Sequence, residues 1–316
     1  MRDLDLLLPL RKAPGVIRIH GHRAARGALP ENTMVGCRHT LDIGLKVLEI
    51  DILVTADGVP VVTHNPRLMA STTRDQDGAW LSHDSPLIHA MNFDTLQKFD
   101  VGGLRADTAY GKKYPDQAFL TGVRVPSLAQ VAGLIKEPKF EDVWLNLEIK
   151  SSPEAPENTP PLPELVSTIL QVLTDQKISD RVFIQSFDWR VLSELQRQMP
   201  EMPRSYLSYN HRENPTVTVN IYEGSVWMDG VSLDSHAGSL PQSIASLGGQ
   251  IWSPYFQDIN TTELDEAHRQ GLIVNAWTVN EPSDIHRMID LGVDGIITDY
   301  PARVQRCLMA RGFFWT

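Results

Sequence analysis

Eight short apolar segments, beginning near residues 16, 47, 143, 183, 204, 250, 272 and 295, recur along the 316-residue chain, mostly separated by stretches of helical periodicity. Segments such as VLEIDILV and DGIITD read as buried strands. Strands that alternate with helices pair in parallel, and this number fits a closed α/β fold, a (β/α)8 TIM barrel, better than an open doubly wound sheet. No G-x-G-x-x-G follows the first strand, which leaves a dinucleotide fold without support. Length alone allows one large barrel or two ordinary domains; the repeated unit selects a single domain over 1–316.

Two passages interrupt the alternation. After VLEIDILV only a few residues precede VPVVTH, and Asp57-Gly58 is a tight-turn signal. A parallel crossover needs about a dozen residues, so these two strands are expected to form a hairpin that returns His64 to the rim where the first strand ends. Residues 65–125 then carry Pro66, Pro86, Pro115 and several turn signals, and read as an inserted subdomain after the second-strand hairpin, an excursion with short helices. Asn32 or Thr33 is expected to cap a helix running to about Gly44. Further on, VTVNIYEGSVWMDG reads as a strand-like excursion, and ARVQRCLMARGFFWT as a closing helix with an apolar tail, a packing or homo-oligomer contact.

The strands also carry charge. Residues two apart on a strand share a face, so Glu49 projects with Asp51, and His20 with His22, while Leu48, Ile50 and Ile52 point the other way. Glu148 sits in the same manner between Asn146 and Lys150. Carboxylates on buried strands cost several kcal/mol when unpaired. They require a cation, either Arg or Lys in a structural ion pair or a hard divalent ion, Mg²⁺ or Ca²⁺. His22, Asp51, Glu148 with Lys150, Ser186, Trp277 and Asp299 fall at carboxyl ends of strands, where barrel enzymes build their sites. A metal beside Arg23 and Lys150 suits a phosphoryl group, and His22 with His64 can divide the proton work. The set points to phosphodiester cleavage. His20 lies deeper and reads as a hydrogen-bonding core residue, Ser186 lacks a G-x-S-x-G elbow, Asp299 reads as a partner of barrel-end backbone, and His83 and His89 as local surface residues.

A formal charge of -10, from 29 basic and 39 acidic residues, opposes general affinity for nucleic acid or anionic membrane. Cys37 and Cys307 form no ligand-spaced cluster and read as buried free thiols. LDLLLPL is short, interrupted by Asp5 and followed rather than preceded by basic residues, and nothing approaches a membrane span, so stable membrane insertion is not expected. A cytoplasmic protein is the expectation, with an export signal trimmed from the sequence left open.

GHRAARGALPENT, LEIDILVTADGVPVVTH, LNLEIK, IQSF, NAWTVN and DGIITDYP, taken together from about Val16 to Pro301, resemble the successive signatures of the glycerophosphodiester phosphodiesterases. The resemblance implies a TIM barrel with an insertion, and Mg²⁺- or Ca²⁺-dependent release of sn-glycerol 3-phosphate and an alcohol from a small glycerophosphodiester. Matched by motif, it makes His22 and His64 the acid/base pair, Glu49, Asp51 and Glu148 metal ligands, Arg23 and Lys150 phosphate contacts, Glu31 a supporting residue, and Trp277 a wall against substrate. It further implies attack of the neighbouring glycerol hydroxyl on phosphorus and a cyclic phosphate, with His22 as the first base and His64 as the acid. A lysophospholipase D-like or sphingolipid phosphodiesterase activity is the alternative on the same barrel. Two departures stand out: Ala24 where the family usually has Gly, tolerable unless the backbone needs a positive φ, and Asn65 where Asp commonly follows the second His.

Overall fold

The computed structural model describes residues 6–11, 13–210 and 218–316. Its strands are β1 (Arg18–Gly21), β2 (Val47–Val54), β3 (Pro60–Val62), β4 (Trp144–Ile149), β5 (Val182–Ser186), β6 (Arg204–Ser208), β7 (Ile251–Pro254), β8 (Ile273–Ala276) and β9 (Gly295–Thr298). Leaving β3 aside, eight parallel strands run in the order β1-β9-β8-β7-β6-β5-β4-β2, and β2 pairs back to β1 with His20 opposite Val47. The sheet is therefore a closed barrel. β3 pairs antiparallel to β2 through Ile52–Val62 and Val54–Pro60, which makes the expected hairpin.

The two faces of each strand explain why the barrel closes. Outward residues such as Leu48, Ile50, Ile52, Leu147, Ile184, Val274 and Ile296 pack under the surrounding helices in one continuous apolar layer. The first of those helices, Met34–Asp42, starts at Thr33, whose hydroxyl accepts from Gly36 N at 3.2 Å. At the amino ends of the strands, Val47, Trp144, Phe183, Ile251 and Ile273 form a plug sealed from below by Leu7 and Leu10 of the lead-in. The plug makes the barrel floor dry and leaves the opposite end to chemistry. The chain end is tied to the same body: Phe314 N donates to Gly15 O and Ile17 N to Phe314 O, while Phe313 and Trp315 pack on the core.

Between β3 and the helix Leu128–Ile135, the chain folds over the hairpin around Leu68, Ile88, Met91, Leu96 and Val125, which share a small core with Leu53 and Val61. Asp100 anchors this passage by accepting from the N–H groups of Gly102, Gly122 and Val123 and pairing with Arg74 at 3.0 Å. Two short helices, Phe93–Leu96 and Ala109–Lys113, lie within it.

The strand-like reading of VTVNIYEGSVWMDG is not what the chain does. Val217 lies outside the described residues, and 218–230 form coil, turns and a single turn of 3-10 helix at Val226–Met228. Both edges of β6 are taken by β5 and β7, and Asn220 instead ties the segment to the end of β6, its amide accepting from Tyr209 N at 2.7 Å and donating to Leu207 O at 3.0 Å. Cys307 also departs from expectation, being only half-buried, whereas Cys37 is fully enclosed. Among the described residues no helix is long and apolar enough to cross a membrane.

Candidate active site

At the carboxyl end of β1 the backbone reverses tightly. Gly21 is needed there, because a Cβ would stand 2.1 Å from Ala24 O. Arg23 and Ala24 follow with φ of 47° and 72°, so Ala24 does occupy the left-handed region that favours glycine. This reversal turns Arg23 N onto the Glu49 carboxylate at 2.8 Å and places His22 at the barrel mouth.

His22 and Asp299 are neighbours because β1 lies beside β9. His22 Nδ1 is 2.6 Å from Asp299 Oδ1, and Nε2 is 3.9 Å from Glu49 Oε2. With Nδ1–H donating to the carboxylate, Nε2 is the nitrogen left facing the cavity. Burial and the nearby Arg26 pull the imidazole down to about 4, against the opposing influence of Asp299, so it rests neutral at pH 7. Burial, Arg23 and Lys150 likewise hold His64 well below its usual range, and Asn65 Oδ1 is 2.8 Å from His64 Nδ1. Asn65 thus supplies geometry to that ring without charge.

Glu49, Asp51 and Glu148 are all buried, and each offers an oxygen within 4.8 Å of the others. Register accounts for the grouping: Asp51 is directly opposite Glu148, and Glu49 lies two residues earlier on the same face. Burial, with Asp51 and Glu148 nearby, drives the Glu49 carboxyl well above its ordinary value. Asp51 stays ionised, since His64, Arg23, Lys150 and the Asn32 amide at 2.8 Å outweigh its burial. Its other oxygen, Oδ1, is buried without a hydrogen-bond partner. An oxygen-only donor set with an orphaned carboxylate oxygen fits a hard divalent cation. Lys150 reaches the edge of this group, 2.5 Å from Glu148 and 3.7 Å from Asp51.

Arg23 bridges Glu31 at 2.9 Å and Asp51 at 3.4 Å, so Glu31 lies beside the guanidinium. A cavity of about 850 Å³ is lined by His22, Arg23, Glu49, His64, Glu148 and Lys150. Trp277 forms part of its opposite wall with Phe187 and Tyr255, ring centroids 5.2 Å away in each case, and is fixed by donation from its indole to Ser253 O. Of the sequence-predicted site residues, His22, Arg23, Glu49, His64, Glu148, Lys150 and Trp277 line this cavity, while Asp51 is buried beside Glu49 and Glu148 and Glu31 adjoins Arg23. His20 is a buried interior residue against Phe183, and Ser186 is spent on Ile149 O.

Asp299 requires correction. Its carboxylate serves side chains rather than barrel-end backbone: His22, both Nε and Nη2 of Arg26, Tyr114 and Asn280 all reach it. The missed signal is topological, since the last strand of a closed barrel must end beside the first. Gln185, which donates to Glu49 at 2.9 Å, was also missed, although it stands in IQSF at the right parity. Tyr110 bonds Glu31 and both Arg23 and Arg26, and no local pattern in 65–125 marks it.

Residues 22–303 match the sequence profile of the glycerophosphoryl diester phosphodiesterase family. A solved Silicibacter pomeroyi chain assigned as a glycerophosphoryl diester phosphodiesterase is 44% identical, with a TM-score of 0.87 and coverage of 98% of this chain and 99% of that one. The glycerophosphodiester phosphodiesterase of Caldanaerobacter subterraneus subsp. tengcongensis is 25% identical over 280 residues, 89% of this chain and 93% of the relative. An Oleispira antarctica phosphodiesterase, solved in complex with its product sn-glycerol-3-phosphate, shares the fold at 21% identity and a TM-score of 0.66, covering 93% of this chain and 97% of that one. A match over most of the chain and a near superposition on a solved member lead to one conclusion: the protein belongs to the glycerophosphoryl diester phosphodiesterase family, enzymes that hydrolyse glycerophosphodiesters.

Proposed function

We propose that the chain cleaves small glycerophosphodiesters to sn-glycerol 3-phosphate and an alcohol, in a reaction that requires a divalent cation and uses His22 and His64 as its two proton carriers. The observation that carries this reading is the cavity itself, lined by both imidazoles, two fixed cations and the carboxylates Glu49 and Glu148, with Asp51 buried within 4.8 Å of those two. A cation held by Glu49, Asp51 and Glu148 would supply Lewis-acid stabilisation of charge on phosphoryl and hydroxyl oxygens, and the oxygen donors admit Mg²⁺ or Ca²⁺. Arg23 and Lys150 would grip the phosphoryl oxygens and orient phosphorus. Trp277 would close the cavity against the organic part of the substrate.

In the first step the glycerol hydroxyl beside the ester forms a bond to phosphorus and gives its proton to His22, and the bond to the leaving alcohol breaks as His64 protonates that oxygen. That role requires the anionic phosphoryl group to offset Arg23 and Lys150, so that His64 takes up a proton from solvent before the step. Water then opens the cyclic phosphate with the two histidines exchanging roles. Asp299 suits His22 to this work by holding Nδ1 and leaving Nε2 free. The product of the Oleispira antarctica neighbour supports the assignment of glycerol 3-phosphate as the released phosphate. We read 65–125 as an excursion of the one TIM-barrel domain that contributes Tyr110 to the rim.

The test is product-resolved hydrolysis of a glycerophosphodiester panel after chelation and after restoring Mg²⁺ or Ca²⁺. Cation-dependent appearance of glycerol 3-phosphate and free alcohol is expected; turnover that ignores chelation would refute the cation requirement. Phe187, Leu207, Tyr255, Trp277 and Ile297 give the cavity an apolar flank, which favours lysophospholipid cleavage as the second reading. Release of a lipid phosphate or cyclic product from lysophospholipids, with no turnover of the water-soluble panel, would select it.

A further inference from the structure

Gln185 on β5 is 2% exposed, lines the cavity, and stands opposite Glu148 in the parallel register. Its Nε2 donates to Glu49 Oε1 at 2.9 Å. The carbonyl is thereby turned away from Glu49, and this Oε1 is buried with no hydrogen-bond partner. A buried acceptor left unmet is costly, and Gln185 lines the cavity the substrate must enter. A phosphoryl oxygen cannot satisfy it, because both atoms accept. A hydroxyl can.

Several polar groups of the site are committed elsewhere. Asn32 donates to Asp51, the Ser186 hydroxyl goes to Ile149 O, and Asn280 Oδ1 receives Thr298 and Asp299 N. Arg23 and Lys150 are donors only. Resting on the glycerophosphodiester reading above, we infer that Gln185 Oε1 accepts the terminal hydroxyl of the glycerol moiety and selects a diol-bearing substrate. The chemistry separates the two glycerol hydroxyls: the nucleophile must surrender its proton to an imidazole, whereas the terminal hydroxyl keeps its own. An amide oxygen is a hydrogen-bond acceptor far too weak to serve as a base, so it suits the second role. Gln185 is then a specificity-determining residue that also braces Glu49.

The experiment compares kcat/KM for glycerophosphocholine with that for the analogue whose terminal hydroxyl is replaced by hydrogen, leaving the nucleophilic hydroxyl in place. The unaltered enzyme should prefer the full substrate by about tenfold or more, the factor a single lost hydrogen bond produces. Gln185→Met, which removes acceptor and brace together, should slow both substrates but bring their ratio close to one. Gln185→Glu retains an oxygen acceptor at the same reach and should keep the preference at a lower absolute rate. A ratio that Q185M leaves unchanged, or that Q185E abolishes, would overturn the assignment while leaving the phosphodiesterase reading intact. Failure of the unaltered chain to cleave glycerophosphocholine with Mg²⁺ or Ca²⁺ present would overturn both.

Discussion

Ala24 carries a side chain through a backbone position that costs an L-residue about 1–2 kcal/mol, and it does so in a fully buried setting. Space for its methyl comes from Gly36, where an added Cβ would lie 3.2 Å from Ala24 Cβ. A24G gains relief of that strain but loses a buried methyl and adds chain entropy, so its stability should stay within about 1 kcal/mol of the parent. A24V combines a β-branched residue at positive φ with overpacking, and denaturant titration should show a loss of about 3 kcal/mol. At the reacting centre, D299N should lower kcat about 100-fold by freeing the His22 ring, while calorimetric cation affinity stays as it was. A parallel loss of cation binding would move Asp299 into the metal site instead.

At the scale of elements, the passage 65–125 depends on buried charge more than on helices. Burial pushes the Asp100 carboxyl upward, but the N–H groups of Gly122, Gly102 and Val123 and the Arg74 guanidinium hold it below its ordinary value. A depressed folded-state pKa contributes stability that is complete above the unfolded value of about 3.9 and is lost as pH falls through the folded one. D100N should therefore cost about 2 kcal/mol at pH 7, with the difference from the parent shrinking below about pH 4. Urea titrations at pH 7 and pH 3 check the sign; a gap that widens on acidification would contradict it. The hairpin and the helix cap at Thr33 were readable from local spacing and turn chemistry. The region after β6 was not, because Asn220 reaches back to the end of the strand and alternation says nothing of such a contact.

For the whole molecule, the inward side chains change character along the barrel axis, from Val47, Trp144 and Phe183 at the floor to Glu49, Asn146, Glu148 and Gln185 above. Leu7, fully buried beneath the floor, completes the apolar half. Thermal or denaturant unfolding of L7A should show a loss of about 2–5 kcal/mol, the usual cost of a cavity in a closed core. The sequence alone determined the strand-helix alternation and the parity that puts Glu49 with Asp51 and His20 with His22, because both follow from backbone periods of a few residues. Tertiary structure decided which strand ends meet. Asp299 stands 277 residues from His22, and only closure of β9 onto β1 makes them partners. Tyr110 likewise reaches Glu31 through the folding of the excursion over the rim. Local pattern records what each strand presents to the interior; the geometry of closure selects its neighbours.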